Sequence, residues 1–242
     1  MIGGKQVWDD REAMVSLLKR GSVGSFAQHQ TIDLETNQEL PRLAPVLCAL
    51  FPPAELADLL GKELAAQMLN IYQLEMVQNL FLEHELQTFL RAFHQAHIPL
   101  ILLKGPVLAY TAYPEPHLRT YHDIDALIQP HDLPRARDLL EQQGYEFYEE
   151  YRSNLADSNR AGYNFLKKHT DSWLEVLIEL HTAPHPSEIG TRFDVAALWE
   201  HAQPLEILGE PTSMLNATDH LLYLCWHYRF HSFGRLLWFY DL

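Results

Sequence analysis

The sequence predicts an α+β fold: a small mixed β-sheet core flanked by N-terminal and C-terminal helical segments. Three observations lead there. Residues 63–96 run without Gly or Pro, with Leu69, Tyr72, Met76, Leu80, Phe89 and Phe93 near helical spacing. Two apolar runs of strand length then follow, Ile98–Leu103 and Ile124–Ile128, and later a two-faced strand, Trp173–His181. After Pro184 and Pro186 the pattern turns helical again. The expected division is a helical region over 1–96 that packs on the core, an α/β core over 97–190, and a helical region over 191–242.

Taken in order, a first helix opens after Trp8-Asp9-Asp10, with Met14, Val15, Leu17 and Leu18 on its apolar side, and Gly21–Gly24 breaks it. Short helices are expected at Leu43–Leu50 and Ala54–Leu60, bounded by prolines. Lys104-Gly105-Pro106 turns the chain after the first strand. Pro106 then stands near the first position of a helix over Val107–Tyr113, where proline is tolerated. Ile124–Ile128 is the second strand, and Leu133–Gln143 is an amphipathic helix stopped by Gly144. Tyr145–Tyr151 and Tyr163–Leu166 read as strands. On Trp173–His181, Glu175, Leu177, Glu179 and His181 share one face and Leu174, Val176, Ile178 and Leu180 the other. A short helix at Phe193–His201, a hairpin at Leu205–Pro211 and a helix over Leu221–Phe230 capped by Asn216 or Thr218 complete the reading. The last apolar segment starts at Gly234 and has no cap, so a truncated chain is expected.

With 242 residues, 47% hydrophobic and 21% charged, the chain has the composition of a soluble protein with a sizeable core. A net charge of −14 excludes non-specific binding to nucleic acid, which needs basic surface. An anionic substrate stays possible where metal ions and a few local cations meet its charge. No apolar run has the length of a membrane span, and the N-terminus lacks a signal-peptide pattern. Cys48 and Cys225 lie in apolar helical surroundings and read as reduced core residues of a cytoplasmic protein.

The chemistry concentrates in Asp123, Asp125 and Glu179. Asp123 and Asp125 alternate on one strand and so point the same way. Like charges that close repel unless a cation lies between them. With Glu179 from a second strand they suit two divalent ions side by side, the arrangement that stabilises in-line displacement at phosphorus. Hard oxygen ligands favour Mg²⁺, with Mn²⁺ as the alternative. Lys104 and the amides around Gly105 suit a phosphate tail, Lys as a point charge and Gly allowing close approach. The pattern is not an EF-hand loop, since Ile128 stands where that loop needs Gly.

This order of strand, Gly turn, short helix, Asp-x-Asp strand and later acidic strand resembles the nucleotidyltransferase superfamily typified by DNA polymerase β. Leu-Leu-Lys-Gly-Pro, Arg119 followed by Asp-Ile-Asp-Ala-Leu-Ile, Gly144-Tyr145, and Ile178-Glu179-Leu180-His181 look more closely like the uncharacterised bacterial nucleotidyltransferase family. The resemblance covers about residues 64–242. It implies Asp123 and Asp125 as the metal-binding pair. It implies Glu179 as the third carboxylate, activating the acceptor's hydroxyl. Lys104-Gly105 occupies the place of the superfamily's Gly-Ser turn, with no Ser after Gly105 and with Pro106 removing an amide. Arg119 would supply a compensating phosphate-binding cation. The implied activity is transfer of a nucleoside monophosphate from an NTP to a small-molecule or protein acceptor.

Two other readings stand beside it. The replaced Gly-Ser turn suits a non-catalytic nucleotide-sensing or partner-binding module on the same fold. His181 with His185, and His227 with His231, raise a His-metal phosphohydrolase, although Pro184 and Pro186 prevent a helix joining the first pair. On the main reading His181 orients Glu179.

Overall fold

Proline and glycine set where the first helices begin and end. The computed structural model describes residues 39–148, 162–169, 174–184, 193–231, 237–238 and 241–242. The helix expected after Trp8, the end of the strand expected to reach Tyr151, Trp173, His185 and most of the segment from Gly234 lie outside these residues. Helix α1 (Glu39–Leu50) starts ahead of the expected Leu43 and carries Pro45 inside it. Helix α2 (Pro53–Leu60) starts on a proline whose missing N–H costs nothing there, and Gly61 ends it with φ +83°. Helix α3 (Lys62–Gln95) is the long Gly- and Pro-free segment. It stops where His97 takes φ +52° and the Ile98 N–H reaches back to the Phe93 carbonyl, a Schellman-type end.

The described residues fall into two compact units. One contains residues 39–77, 114–120 and the described residues from Cys225 onward. Its core is Leu43, Ala44, Leu47, Phe51, Leu56, Leu59, Ala65, Met68 and Leu237. Arg119 lies in this unit, buried. Its Nε and a terminal nitrogen donate to the two carboxylate oxygens of Asp241 at 2.8 and 2.7 Å, and its other terminal nitrogen donates to the Thr120 carbonyl.

The second unit, Gln78–Tyr113 with Tyr121–Leu224, holds the sheet. Its strands are β1 (Leu100–Leu102), β2 (Asp123–Ile128), β3 (Glu146–Phe147), β4 (Gly162–Lys168), β5 (Glu175–His181), β6 (Gln203–Ile207) and β7 (Glu210–Met214). They lie in the order β3-β4-β5-β2-β1-β7-β6. β2 pairs with β5 in parallel and with β1 antiparallel, so the sheet is mixed. Helices α4 (Lys104–Thr111), α5 (Leu133–Gln142), α6 (Val195–Glu200) and α7 (Ala217–Phe230) complete the described α-helices, α7 running past the end of the unit. The expected α+β class holds, with a sheet larger than expected. The hairpin expected at Leu205–Pro211 runs over Gln203–Met214, turns at Leu208 (φ +55°) and Gly209 (φ +79°), and joins the sheet beside β1 through Leu102 and Met214.

Strand alternation sorts the two faces of the sheet. Leu100, Leu102, Ile124, Ala126, Ile128, Phe165, Val176, Ile178 and Leu180 pack against Leu82, Leu86, Phe89 and Phe93 of α3 and Ala136 and Leu140 of α5. Buried Glu85 of α3 is satisfied in this layer by the Tyr145 hydroxyl at 2.8 Å and Lys167 Nζ at 3.0 Å. The opposite face carries Ile101, Leu103 and Leu127 under Leu198, Leu215 and Tyr223. Gly144, at φ +86°, stops α5 as expected. Both cysteines are free, but they are not core residues: Cys225 is exposed and Cys48 half-buried. No described helix is long and apolar enough to cross a membrane.

Candidate active site

The polar residues of β2 and β5 gather on the face opposite α3. The parallel register sets Asp125 beside Glu179, and the same alternation brings His181 onto that face. Asp125 is 1% exposed and Glu179 is partly open, at 32%. Ligand atoms of Asp125, Glu179 and His181 all lie within 4.8 Å of one another. Two carboxylates and an imidazole converging at that spacing fit a divalent cation, the oxygens suiting Mg²⁺ or Mn²⁺.

Asp123 opens β2 opposite Leu177, half-buried, and stands outside this cluster. Its charge still reaches the site, because it helps hold Lys104 protonated. His181, expected to orient Glu179, instead bonds Asp125: its Nε2 is 2.9 Å from Asp125 Oδ1 and 3.8 Å from Glu179 Oε2.

Lys104 reaches the cluster from the start of α4. Its Nζ donates to Asp125 Oδ1 at 2.8 Å. The backbone that aims it is strained: Lys104 has φ +50°, a region that costs a non-glycine residue about 1 kcal/mol. Burial disfavours the ammonium, but the nearby charge of Asp125, with Tyr223, Asp123 and Glu179, outweighs it and raises the Lys104 pKa. Burial likewise opposes the Asp125 carboxylate, yet Lys104 and the His181 hydrogen bond hold its pKa well below the usual range. At neutral pH the pair is ionised.

Gly105 has a packing reason beside the expected one. A Cβ there would come within 2.5 Å of Tyr121 Cβ, so only glycine lets the start of α4 lie against that side chain. Arg119 belongs to the other unit, where Asp241 takes up its guanidinium.

Two residues that sequence reasoning passed over complete the site. Tyr223 of α7 is fully buried, its ring 6.0 Å from Lys104 Nζ. Burial and the Asp125 and Glu179 charges raise its pKa, so the phenol stays protonated. Gly162 opens β4 opposite His181, and a Cβ there would come within 2.6 Å of Glu179 Oε1 and 3.6 Å of His181 Nδ1. The Glu179–His181 spacing was a visible signal for the imidazole. Nothing local marked Tyr223 or Gly162.

A family model described as Uncharacterised nucleotidyltransferase matches residues 39–242. No curated protein matches the chain. Among solved structures, ANT(2″)-Ia in complex with adenylyl-2″-tobramycin is 16% identical, with a TM-score of 0.43 over 62% of this chain and 77% of that one. The lincomycin-bound lincosamide antibiotic adenylyltransferase LnuA is 16% identical, with a TM-score of 0.40 over 57% of this chain and 83% of that one. An antigenic nucleotidyltransferase-like protein from Paracoccidioides brasiliensis is 13% identical, with a TM-score of 0.42 over 66% of this chain and 71% of that one.

Proposed function

Since the chain belongs to the uncharacterised nucleotidyltransferase family, we propose that it transfers a nucleoside monophosphate from an NTP to the hydroxyl of a small-molecule or protein acceptor, using Asp125, Glu179 and Asp123 around divalent metal. The observation that carries this reading is the set of ligand atoms from Asp125, Glu179 and His181 within 4.8 Å of one another, on adjacent parallel strands. Mg²⁺ or Mn²⁺, when bound there, supplies Lewis-acid charge at the phosphates.

The protein's own groups divide the remaining work. Asp125, kept ionised by Lys104 and His181, is the permanent anion of the site. Glu179, the partly exposed member, accepts the proton of the acceptor hydroxyl as its oxygen attacks the α-phosphorus. The bond from the α-phosphorus to the bridging oxygen breaks and pyrophosphate leaves. Lys104 offsets negative charge on the phosphates, and the backbone amides around Gly105 are the further donors to them. With a net charge of −14, the chain suits an acceptor other than a nucleic acid.

The test uses NTPs labelled at the α-phosphate, Mg²⁺ or Mn²⁺, and fractionated small-molecule and protein acceptors. Label appearing in an acceptor together with released pyrophosphate is expected. Binding of NTP without transfer from any of the four NTPs would favour the nucleotide-sensing module. Phosphate release without adduct would favour the phosphohydrolase.

A further inference from the structure

The Lys104 ammonium lies against one carboxylate oxygen of Asp125, at 2.8 Å. A two-ion site stabilises both the attacking and the leaving oxygen of an in-line displacement. Asp125 lies next to Glu179 across the parallel register. Among the described residues its side-chain partners, Lys104 Nζ at 2.8 Å and His181 Nε2 at 2.9 Å, both fall on Oδ1. That leaves Oδ2 as the oxygen for an ion.

The charges point the same way. Asp125, Asp123 and Glu179 all act on Lys104. A second divalent ion beside a fixed ammonium would be repelled. The ammonium is also held firmly. Its stem is largely buried, the Tyr223 ring lies 6.0 Å from it, and the left-handed backbone at Lys104 aims it at Asp125.

We propose that the site takes a single divalent ion and that Lys104 serves as its built-in second cation, bridged to that ion by Asp125. This rests on Asp125 being a metal ligand. The substitution that opens the second position is therefore at Lys104 and not at Asp125.

The experiment soaks crystals of the full chain with Mn²⁺ and a non-hydrolysable ATP analogue and counts manganese by anomalous scattering. Native protein and Lys104→Arg should each show one manganese beside Asp125 and Glu179. Lys104→Gln, which keeps length and removes charge, should show two. Two ions in the native protein, or one in Lys104→Gln, would overturn the proposal while leaving the metal reading intact. No manganese near Asp125 in the native protein, with Mn²⁺ binding in solution unchanged by Asp125→Asn, would remove the metal reading and this proposal with it. The native count needs no variant to fold.

Discussion

Two part-buried lysine–carboxylate pairs sit on opposite faces of one sheet, and they differ in what surrounds the carboxylate. On the α3 side, Lys167 meets Glu85 at 3.0 and 3.1 Å, and the Tyr145 hydroxyl adds a bond at 2.8 Å. Both Glu85 oxygens are engaged by groups of the protein itself. On the other side, Lys104 and His181 crowd onto one oxygen of Asp125, with Glu179 and Asp123 adding charge nearby. The first pair is complete without help. The second gathers ligand atoms of Asp125, Glu179 and His181 within 4.8 Å of one another and has a strained backbone at its lysine. On the proposed function that is where a cation or substrate binds.

Substitutions sharpen that contrast. Asp125→Asn should have the largest effect. It removes several kcal/mol of metal-borne stabilisation, so transfer should fall by about a thousandfold or more. It also strips Lys104 of its partner, which costs about 3–5 kcal/mol of stability and shows as a lower Tm. Glu85→Gln should cost about 3 kcal/mol of stability through Lys167 but leave the rate per folded molecule unchanged. A large loss of rate at full Tm in Glu85→Gln would break the contrast. Gly162→Ala should lower the rate about tenfold by moving the Glu179 carboxylate, with a stability change of about 1 kcal/mol. Tyr223→Phe keeps the ring and removes only the hydroxyl beside Lys104, so its effect should be smallest, about 1 kcal/mol of unfolding or activation free energy.

The strands that make the site were legible because alternation is local. Asp-Ile-Asp in β2 and Glu-Leu-His in β5 state their faces within a few residues. That Asp125 and Glu179 would be neighbours followed only from pairing the two strands, which the resemblance supplied. What was not legible depends on long-range geometry. The Lys104 ammonium finds Asp125 through a left-handed backbone at a lysine, which no propensity favours. Arg119 meets Asp241, 122 residues on, and nothing near either residue signals the other. The β6–β7 hairpin was readable as a hairpin, but its place beside β1 rests on a parallel contact between Leu102 and Met214. Cys225 falls in an apolar stretch yet is exposed, because apolar neighbours in sequence need not share a helix face.

Calorimetric titration of Mn²⁺ into the native chain, Asp125→Asn and Glu85→Gln tests the central claim most directly, that Asp125 anchors a metal site and Glu85 a structural pair. Binding heat in the native chain and Glu85→Gln, and none in Asp125→Asn, is the expected result. Equal Mn²⁺ affinity in Asp125→Asn and the native chain would contradict it.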